Sequence, residues 1–351
     1  MRPHSILVSA VLAAATLVGC GSPSAPSSET ETSTDEQQIL TLYSARHYDG
    51  DQAIYDAFEA QTGIEVRARE SRAPQLLETM KAEGEASPAD VIIAADAGTL
   101  WRFKDAGLTQ PIASEALEAA IPGALRDPEG HWVGLAKRYR GIAYDTERVA
   151  PDAVDAFVKL ADPSLDNEIC ARSSSNIYNL SLLGHLMETQ GADAAAAWAD
   201  TVSDQFARAP AGGDTDQIKA VAAGACSVAI ANHYYWVRLA TSESEADRDV
   251  AARTAFSFAD TGNGPHVNVT AGAVAANAPN RDGAVAFLEF LATPEGQALL
   301  IVETKEYPVL DTVTLPEGLP AAPVSGAETN LARLGENQVE AARIYDRAGW
   351  P

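Results

Sequence analysis

Tyrosines in three short stretches of the sequence could supply oxygen ligands to a metal ion. Tyr48 stands in a polar loop, Tyr178 follows a serine-rich run, and Tyr234 and Tyr235 are adjacent. A phenol with a pKa of about 10 is normally neutral, but a bound cation stabilises its deprotonated form. Several phenolates together therefore favour a small trivalent cation over Ca²⁺ or Mg²⁺, which prefer carboxylates and carbonyl oxygens.

The adjacent pair Tyr234 and Tyr235 follows an apolar run that ends at Asn232 and is typical of a buried strand. Neighbours in a strand point to opposite faces, so both phenols can serve one site only if the backbone turns there. The pattern predicts that the pair lies at a strand end or a helix start, where open α/β sheets place ligands. The alternative is that one ring packs in the core and the other at its rim.

Strands and helices alternate in the part of the chain that must position Tyr48. Residues 39–44, 64–68 and 90–94 are predicted as strands, and glycines end the intervening helices at Gly63, Gly84 and Gly107. This alternation predicts an α/β fold with mainly parallel sheets and helices on both faces.

The pattern changes near Trp132, and this change predicts a second lobe. Residues 133–136 and 141–144 are predicted as strands that pass into it, and residues 267–274 as a strand that crosses back. Two lobes with a ligand cleft between them are expected. The predicted first lobe is 39–136 with about 265–300, and the second is 137–264 with about 301–351, including a last amphipathic helix over 328–347.

The beginning of the chain is typical of an export signal. Arg2 precedes an apolar run over 6–18, and Leu17-Val18-Gly19-Cys20 resembles the lipobox of bacterial lipoproteins, in which the cysteine is lipidated. Residues 1–20 are therefore predicted as a lipoprotein signal and residues 21–38 as a disordered tether. An extracytoplasmic protein anchored to the cell membrane, in the periplasm or at the cell surface, is expected. The alternative is an ordinary signal with an incidental cysteine.

Composition and motifs argue against several functions. The net charge of −24 leaves no excess of basic residues for a nucleic-acid partner. The sequence contains no Gly-x-Ser-x-Gly, His-Glu-x-x-His, P-loop or Cys-x-x-Cys motif, and a nucleophile pair of Cys226 and His233 has no supporting motif. We therefore expect a binding protein, monomeric, and not an enzyme.

Three stretches, 44–48, 172–179 and 232–235, together carry a family resemblance. In this order and at these separations they resemble the ferric-iron-binding proteins of bacterial ABC importers, in the subgroup that uses tyrosines and a histidine. The resemblance runs from Leu42 to the last predicted helix. It implies Fe³⁺ as bound cargo, the subunits of an ABC permease as partners, and five ligands: His47, Tyr48, Tyr178, Tyr234 and Tyr235. The alternative is a small organic or anionic solute in the same fold, with the tyrosines stacking on it.

Charge balance at such a site points to further residues. Four phenolates and a neutral histidine around Fe³⁺ leave a net negative charge, and Arg46, Arg138 and Arg140 are candidates to balance it. His233 is interpreted as surface beside the tyrosine pair. The other tyrosines considered are not predicted as ligands: Tyr139 and Tyr144 are rejected, and Tyr43, Tyr55, Tyr307 and Tyr345 are assigned to packing.

Cys170 and Cys226 are the cysteines that remain after Cys20. In an exported protein such a pair predicts a disulfide. Each lies eight residues before a proposed ligand, so the bridge would join the two segments that carry the second-lobe ligands.

Overall fold

Helices and strands alternate in the computed structural model, which describes residues 38–46, 48, 50–323 and 330–351. The strands are β1 Ile39–Ser44, β2 Glu65–Glu70, β3 Val91–Ala94, β4 Thr109–Gln110, β5 Val133–Asp145, β6 Ile169–Cys170, β7 Val228–Asn232, β8 Thr254–Ser257, β9 His266–Ala275 and β10 Tyr307–Pro308. The helices are α1 Asp51–Thr62, α2 Ala73–Glu83, α3 Ala97–Asp105, α4 Glu115–Ala120, α5 Ile177–Gln190, α6 Ala192–Asp204, α7 Asp214–Ala222, α8 His233–Ala240, α9 Glu245–Arg253, α10 Arg281–Leu291, α11 Pro294–Val302, α12 Ala332–Glu336 and α13 Gln338–Arg347. Helix α1 ends as predicted at Gly63, whose φ of 76° is a left-handed conformation that glycine adopts easily.

The strands join in one sheet with the order β2-β1-β3-β9-β5-β7-β6, and β4, β8 and β10 pair beside this path. Parallel pairing joins β1 to β2 and β3, and joins β6 to β7. The long strands β5 and β9 pair antiparallel with each other and with their other neighbours. The predicted α/β fold is confirmed. The expectation of mainly parallel sheets holds at the outer strands and is wrong for the strands that pair with β5 and β9.

Strand β5 is one continuous strand, although the sequence predicted two. The polar residues between the predicted strands suggested a break, but Arg138, Tyr139 and Arg140 are buried in the sheet. A close approach by β8 also shapes β5, since a Cβ on Gly141 would come within 2.2 Å of the Ser257 carbonyl oxygen. Glycine at 141 therefore lets the two strands pair.

The structure contains two large hydrophobic cores. The first contains Leu42, Val91 and Phe287, and the second contains Ile142, Leu183 and Trp198. The chain beyond 301 contributes to both cores, because Val309 and Leu331–Leu334 pack in the first while 341–350 pack in the second. The sequence assigned this whole segment to the second lobe, and the lobe boundaries stay a prediction.

The final helical segment differs from its prediction over 328–347. It consists of α12 and α13, which Asn337 separates, while residues 324–329 lie outside the described residues. The predicted signal, its Cys20 and the tether up to residue 37 also lie outside them, as does His47. Over the part of the chain that the structure describes, no single helix has the length and apolar composition to cross a membrane; α10 and α11, bent by 75°, meet that test only as a pair.

The predicted disulfide between Cys170 and Cys226 is present, with the two Cα atoms 5.9 Å apart. Cys170 is the last residue of β6, and Cys226 lies just before β7. Both cysteines are buried. The bridge therefore fastens together the two strands that lead toward Tyr178 and Tyr234.

Candidate metal site

The tyrosine pair begins a helix, which is one of the two predicted solutions. Strand β7 ends at Asn232 and α8 begins at His233, so Tyr234 and Tyr235 occupy the first turn of α8. Consecutive side chains leave a helix about 100° apart rather than on opposite faces as in a strand, and the two ring centres lie 4.4 Å apart. Both rings can thus face one site.

Tyr178 meets this pair from the start of another helix. It is the second residue of α5, whose N-terminus is capped by Asn176: the Asn176 side-chain oxygen accepts a hydrogen bond from the Tyr178 N–H at 3.0 Å. The Tyr234 hydroxyl donates to the Tyr178 hydroxyl oxygen at 3.2 Å, and the Asn232 side-chain amide donates to the Tyr234 oxygen at 3.2 Å. Three phenols from two helix starts therefore converge.

Tyr48 joins this group through Arg238. Tyr48 lies in the loop between β1 and α1, and its ring lies against the Arg238 guanidinium. The Arg238 guanidinium carbon lies 5.1 Å from the Tyr48 ring centre, 4.9 Å from that of Tyr234 and 5.9 Å from that of Tyr235. One cation thus contacts tyrosines from two distant stretches of the chain. His47, the fifth predicted ligand, lies outside the described residues.

Burial dominates the acidity of these phenols. Burial raises the pKa of Tyr178, and the neighbouring Tyr235 adds to this rise. Burial likewise raises the pKa of Tyr234, with a further contribution from Tyr178. The pKa of Tyr48 is raised by burial and by Glu306, while Arg238 opposes the rise. Burial therefore favours the neutral form of Tyr48, Tyr178 and Tyr234, and a cation must displace their protons in order to bind.

The predicted arginines are buried and lie against the tyrosines. The guanidinium carbon of Arg138 is 5.2 Å from the Tyr178 ring centre, that of Arg140 is 5.9 Å from it, and that of Arg46 is 4.9 Å from the Tyr48 ring centre. Each also pairs with a carboxylate: Arg46 with Asp51 at 2.6 Å, Arg138 with Glu306 at 3.2 Å and Arg140 with Asp214 at 2.9 Å. These partners stabilise the buried charges.

Arg238 differs from these arginines in its partners. Within 38–46, 48, 50–323 and 330–351 it forms no ion pair with a carboxylate, and it donates to the Thr304 carbonyl oxygen at 2.9 Å. It was not among the predicted residues. The signal was its spacing, four residues after Tyr234 and three after Tyr235, which places it on the same side of α8.

His233 is buried, and its interpretation as neighbouring surface is wrong. Its Nε2 lies 2.9 Å from the Lys305 carbonyl oxygen, and its Nδ1 accepts from the Tyr139 N–H at 3.1 Å. Burial lowers its pKa to about 3, so the ring is neutral. Both ring nitrogens are engaged by the backbone, which supports its structural role.

Residues 304–306, which follow α11, contact residues around the tyrosine cluster, and these contacts were not predicted from the sequence. Thr304 and Lys305 accept from Arg238 and His233 as described, and Glu306 accepts from both Arg138 and Thr270. Lys305 has a positive φ of 57°, which is uncommon for a residue with a side chain. Nothing in the local sequence marked this stretch, because its partners lie on α8, β5 and β9.

The remaining tyrosines lie in packed positions, which the sequence predicted for Tyr43, Tyr55, Tyr307 and Tyr345. Tyr43, Tyr55, Tyr139, Tyr144, Tyr307 and Tyr345 are all buried. Across the residues that the structure describes, no group of three or more His, Cys, Asp or Glu side chains is placed to hold a metal ion. The tyrosine cluster is thus the candidate metal site.

Comparison with known proteins identifies the family. Residues 53–325 match the model of the family described as "Bacterial extracellular solute-binding protein". The chain belongs to this family. This membership confirms the expectation of an extracytoplasmic binding protein rather than an enzyme.

Relatives of this solute-binding protein carry names that refer to iron. It is 42% identical over 337 residues to "Iron uptake protein A1" of Synechocystis sp., covering 95% of this chain and 93% of that protein. It is 28% identical over 313 residues to the "Major ferric iron-binding protein" of Neisseria meningitidis serogroup B, covering 88% and 92%.

Solved structures match the fold of this solute-binding protein. The Trichodesmium protein IdiA (FutA), in complex with iron and citrate ligands, superposes with a TM-score of 0.86 at 42% identity, covering 89% of this chain and 100% of that chain. Apo FutA2 from Synechocystis PCC6803 gives a TM-score of 0.85 at 41% identity, covering 90% and 100%. These similarities confirm the periplasmic-binding-protein fold.

Proposed function

We propose that this solute-binding protein captures ferric iron and delivers it to an ABC-type permease, with His47, Tyr48, Tyr178, Tyr234 and Tyr235 as ligands. The observation that supports this most is the convergence of four tyrosines from three separate stretches of chain. Relatives named for iron uptake and ferric-iron binding support the same cargo. His47 is included on the family resemblance.

The chemistry of the cluster fits a hard trivalent cation. Deprotonated phenols supply anionic oxygen, and the negative charge that four of them leave around Fe³⁺ needs nearby cations. Arg238 suits this role because, within the described chain, it forms no ion pair with a carboxylate, whereas Arg46, Arg138 and Arg140 do. In this proposal Arg238 balances the charge that loading creates, and the paired arginines hold the tyrosine rings in place.

Iron-loaded protein is expected to be coloured, because phenolate-to-iron charge transfer absorbs visible light. Acid should discharge the colour, since burial raises the pKa of Tyr48, Tyr178 and Tyr234 and protons compete with the metal for each oxygen. The measurement is a visible spectrum of the purified protein before and after ferric citrate, followed by an acid titration.

Zn²⁺ provides the matched control for the colour, because its filled d shell gives no such band. A protein that stays colourless with one equivalent of Fe³⁺ argues against the tyrosine site. If such a protein binds an organic or anionic solute without any metal, the alternative cargo of the same fold is correct.

We also propose that the protein is a lipoprotein anchored through Cys20. Cys20→Ala should release it from the membrane fraction and abolish the acyl mass on its N-terminal peptide, because two or more acyl chains are what make such attachment stable. Ser22→Ala is the control and should stay with membranes. A Cys20→Ala protein that fractionates with membranes as the parent does contradicts the anchor.

A further inference from the structure

The last residues of the sequence pack against the stretch that leads into Tyr178. The Trp350 indole N–H donates to the Arg172 carbonyl oxygen at 3.0 Å. The Ser174 N–H donates to the Pro351 carbonyl oxygen at 2.8 Å. Residues 350–351 thus form hydrogen bonds with the backbone of Arg172 and Ser174.

Trp350 is itself firmly held. Its side chain is almost fully buried, and its ring centre lies 4.7 Å from those of Phe206 and Tyr345 and 6.2 Å from that of Trp198. Aromatic pairs at such separations are favourable and restrict movement. These aromatic contacts therefore restrict the position of the indole N–H that donates to the Arg172 carbonyl oxygen.

The contact continues to the residue beside Tyr178. The Arg172 carbonyl oxygen also accepts from the Asn179 side-chain amide at 3.0 Å, and the Asn179 side-chain oxygen accepts from Arg140 at 2.6 Å. The Tyr345 hydroxyl donates to the Asn179 carbonyl oxygen at 3.1 Å. Hydrogen bonds from the final segment thus converge on the backbone on both sides of Tyr178.

We propose that Trp350 is a positioning residue for Tyr178, setting where its oxygen stands relative to Tyr234 and Tyr235. Rigid support of this kind matters because a binding constellation loses affinity when its members shift by a fraction of an ångström. The inference rests on the proposed iron site. It assigns to the end of the sequence a role in metal affinity that does not require contact with the metal.

The test compares Trp350→Phe with Trp198→Phe. Each change keeps an aromatic ring and removes one indole N–H from a backbone carbonyl in the same aromatic cluster, but the acceptor of Trp198 is Phe157, at 2.7 Å, which is not in the 172–179 stretch. Iron affinity by chelator competition, the position of the visible band and thermal unfolding are measured for both.

Trp350→Phe is expected to lower iron affinity by about tenfold and to move the visible band. This is at the low end of the about 10- to 100-fold loss that follows removal of a residue supporting a metal ligand. Trp198→Phe should lower the unfolding temperature similarly and leave affinity and band unchanged. Equal effects of the two variants on iron, or no effect of Trp350→Phe, overturn the proposal.

A second variant covers the case in which Trp350→Phe fails to fold. Tyr345→Phe removes only the hydroxyl that donates to Asn179, and it should move the visible band away from its position in the parent. An unchanged band then overturns the proposal. A parent protein that develops no band contradicts the iron site itself, whereas a coloured parent with variants of equal affinity contradicts only the positioning role.

Discussion

We expect Tyr235→Phe to lower ferric-iron affinity by more than about 100-fold. Loss of a residue that only supports a metal ligand costs about 10- to 100-fold, and Tyr235 is itself a proposed ligand. In the proposed site Tyr235 acts with Tyr178 and Tyr234, and we expect these three to hold iron before a cleft between the two predicted lobes closes. Tyr48 follows β1, which packs in the first core, and the proposal is that it adds its oxygen on closure. Tyr48→Phe should therefore retain part of the capture and lose iron-driven compaction, because a ligand favours the state that it binds more tightly.

Chelator competition measures the affinity, and small-angle scattering with and without iron measures the compaction. Tyr144→Phe is the control, since it removes a hydroxyl from a buried tyrosine outside the cluster. If Tyr48→Phe compacts on iron as fully as the parent, Tyr48 is not the closing ligand. If Tyr235→Phe binds iron as the parent does, Tyr235 is not a ligand.

Arg238→Gln is expected to weaken iron binding by about 10- to 100-fold and to raise the pH at which iron is discharged. The Arg238 cation opposes the rise in the pKa of Tyr48 that burial causes. Without it the pKa of Tyr48 rises further, so protons displace iron at a higher pH. An acid titration of the visible band measures this shift.

Two further variants sharpen the experiment on Arg238. Arg238→Lys keeps the charge and should recover most of the pH shift, although it loses the planar guanidinium that spans the tyrosine rings. Arg67→Gln removes an exposed arginine that pairs with Glu65 on β2, at the end of the strand order, and should change neither property. Equal discharge curves for Arg238→Gln and the parent would show that Arg238 does not balance the site.

The helices and outer strands could be predicted because their signals are local. Gly63 and Gly84 follow the ends of α1 and α2 directly, as predicted. Strand β5 was divided in two because Arg138 and Arg140 look like surface residues in sequence. They are buried because Glu306 and Asp214 reach them from distant parts of the chain, which no local pattern reveals.

The candidate site was predictable to a similar extent. The tyrosines were found from their residue types and from the family resemblance, and the described ones converge. The location of His233 was predicted wrongly, because its burial depends on contacts with Lys305 and Tyr139. The hydrogen bonds from Arg238 to Thr304 and from Trp350 to Arg172 could not be predicted. Their acceptors are backbone carbonyl oxygens, which carry no sequence signature.

Neither hydrophobic core is built from one continuous stretch of chain, and this constrains how the protein can be made. The first core contains both Leu40 and Leu334, and the second contains both Ile142 and Trp350. A domain made from one stretch can fold while synthesis continues. Here both sets of contacts remain incomplete until nearly all of the sequence has left the ribosome. Neither core is therefore expected to be complete in a nascent chain that is still being synthesised.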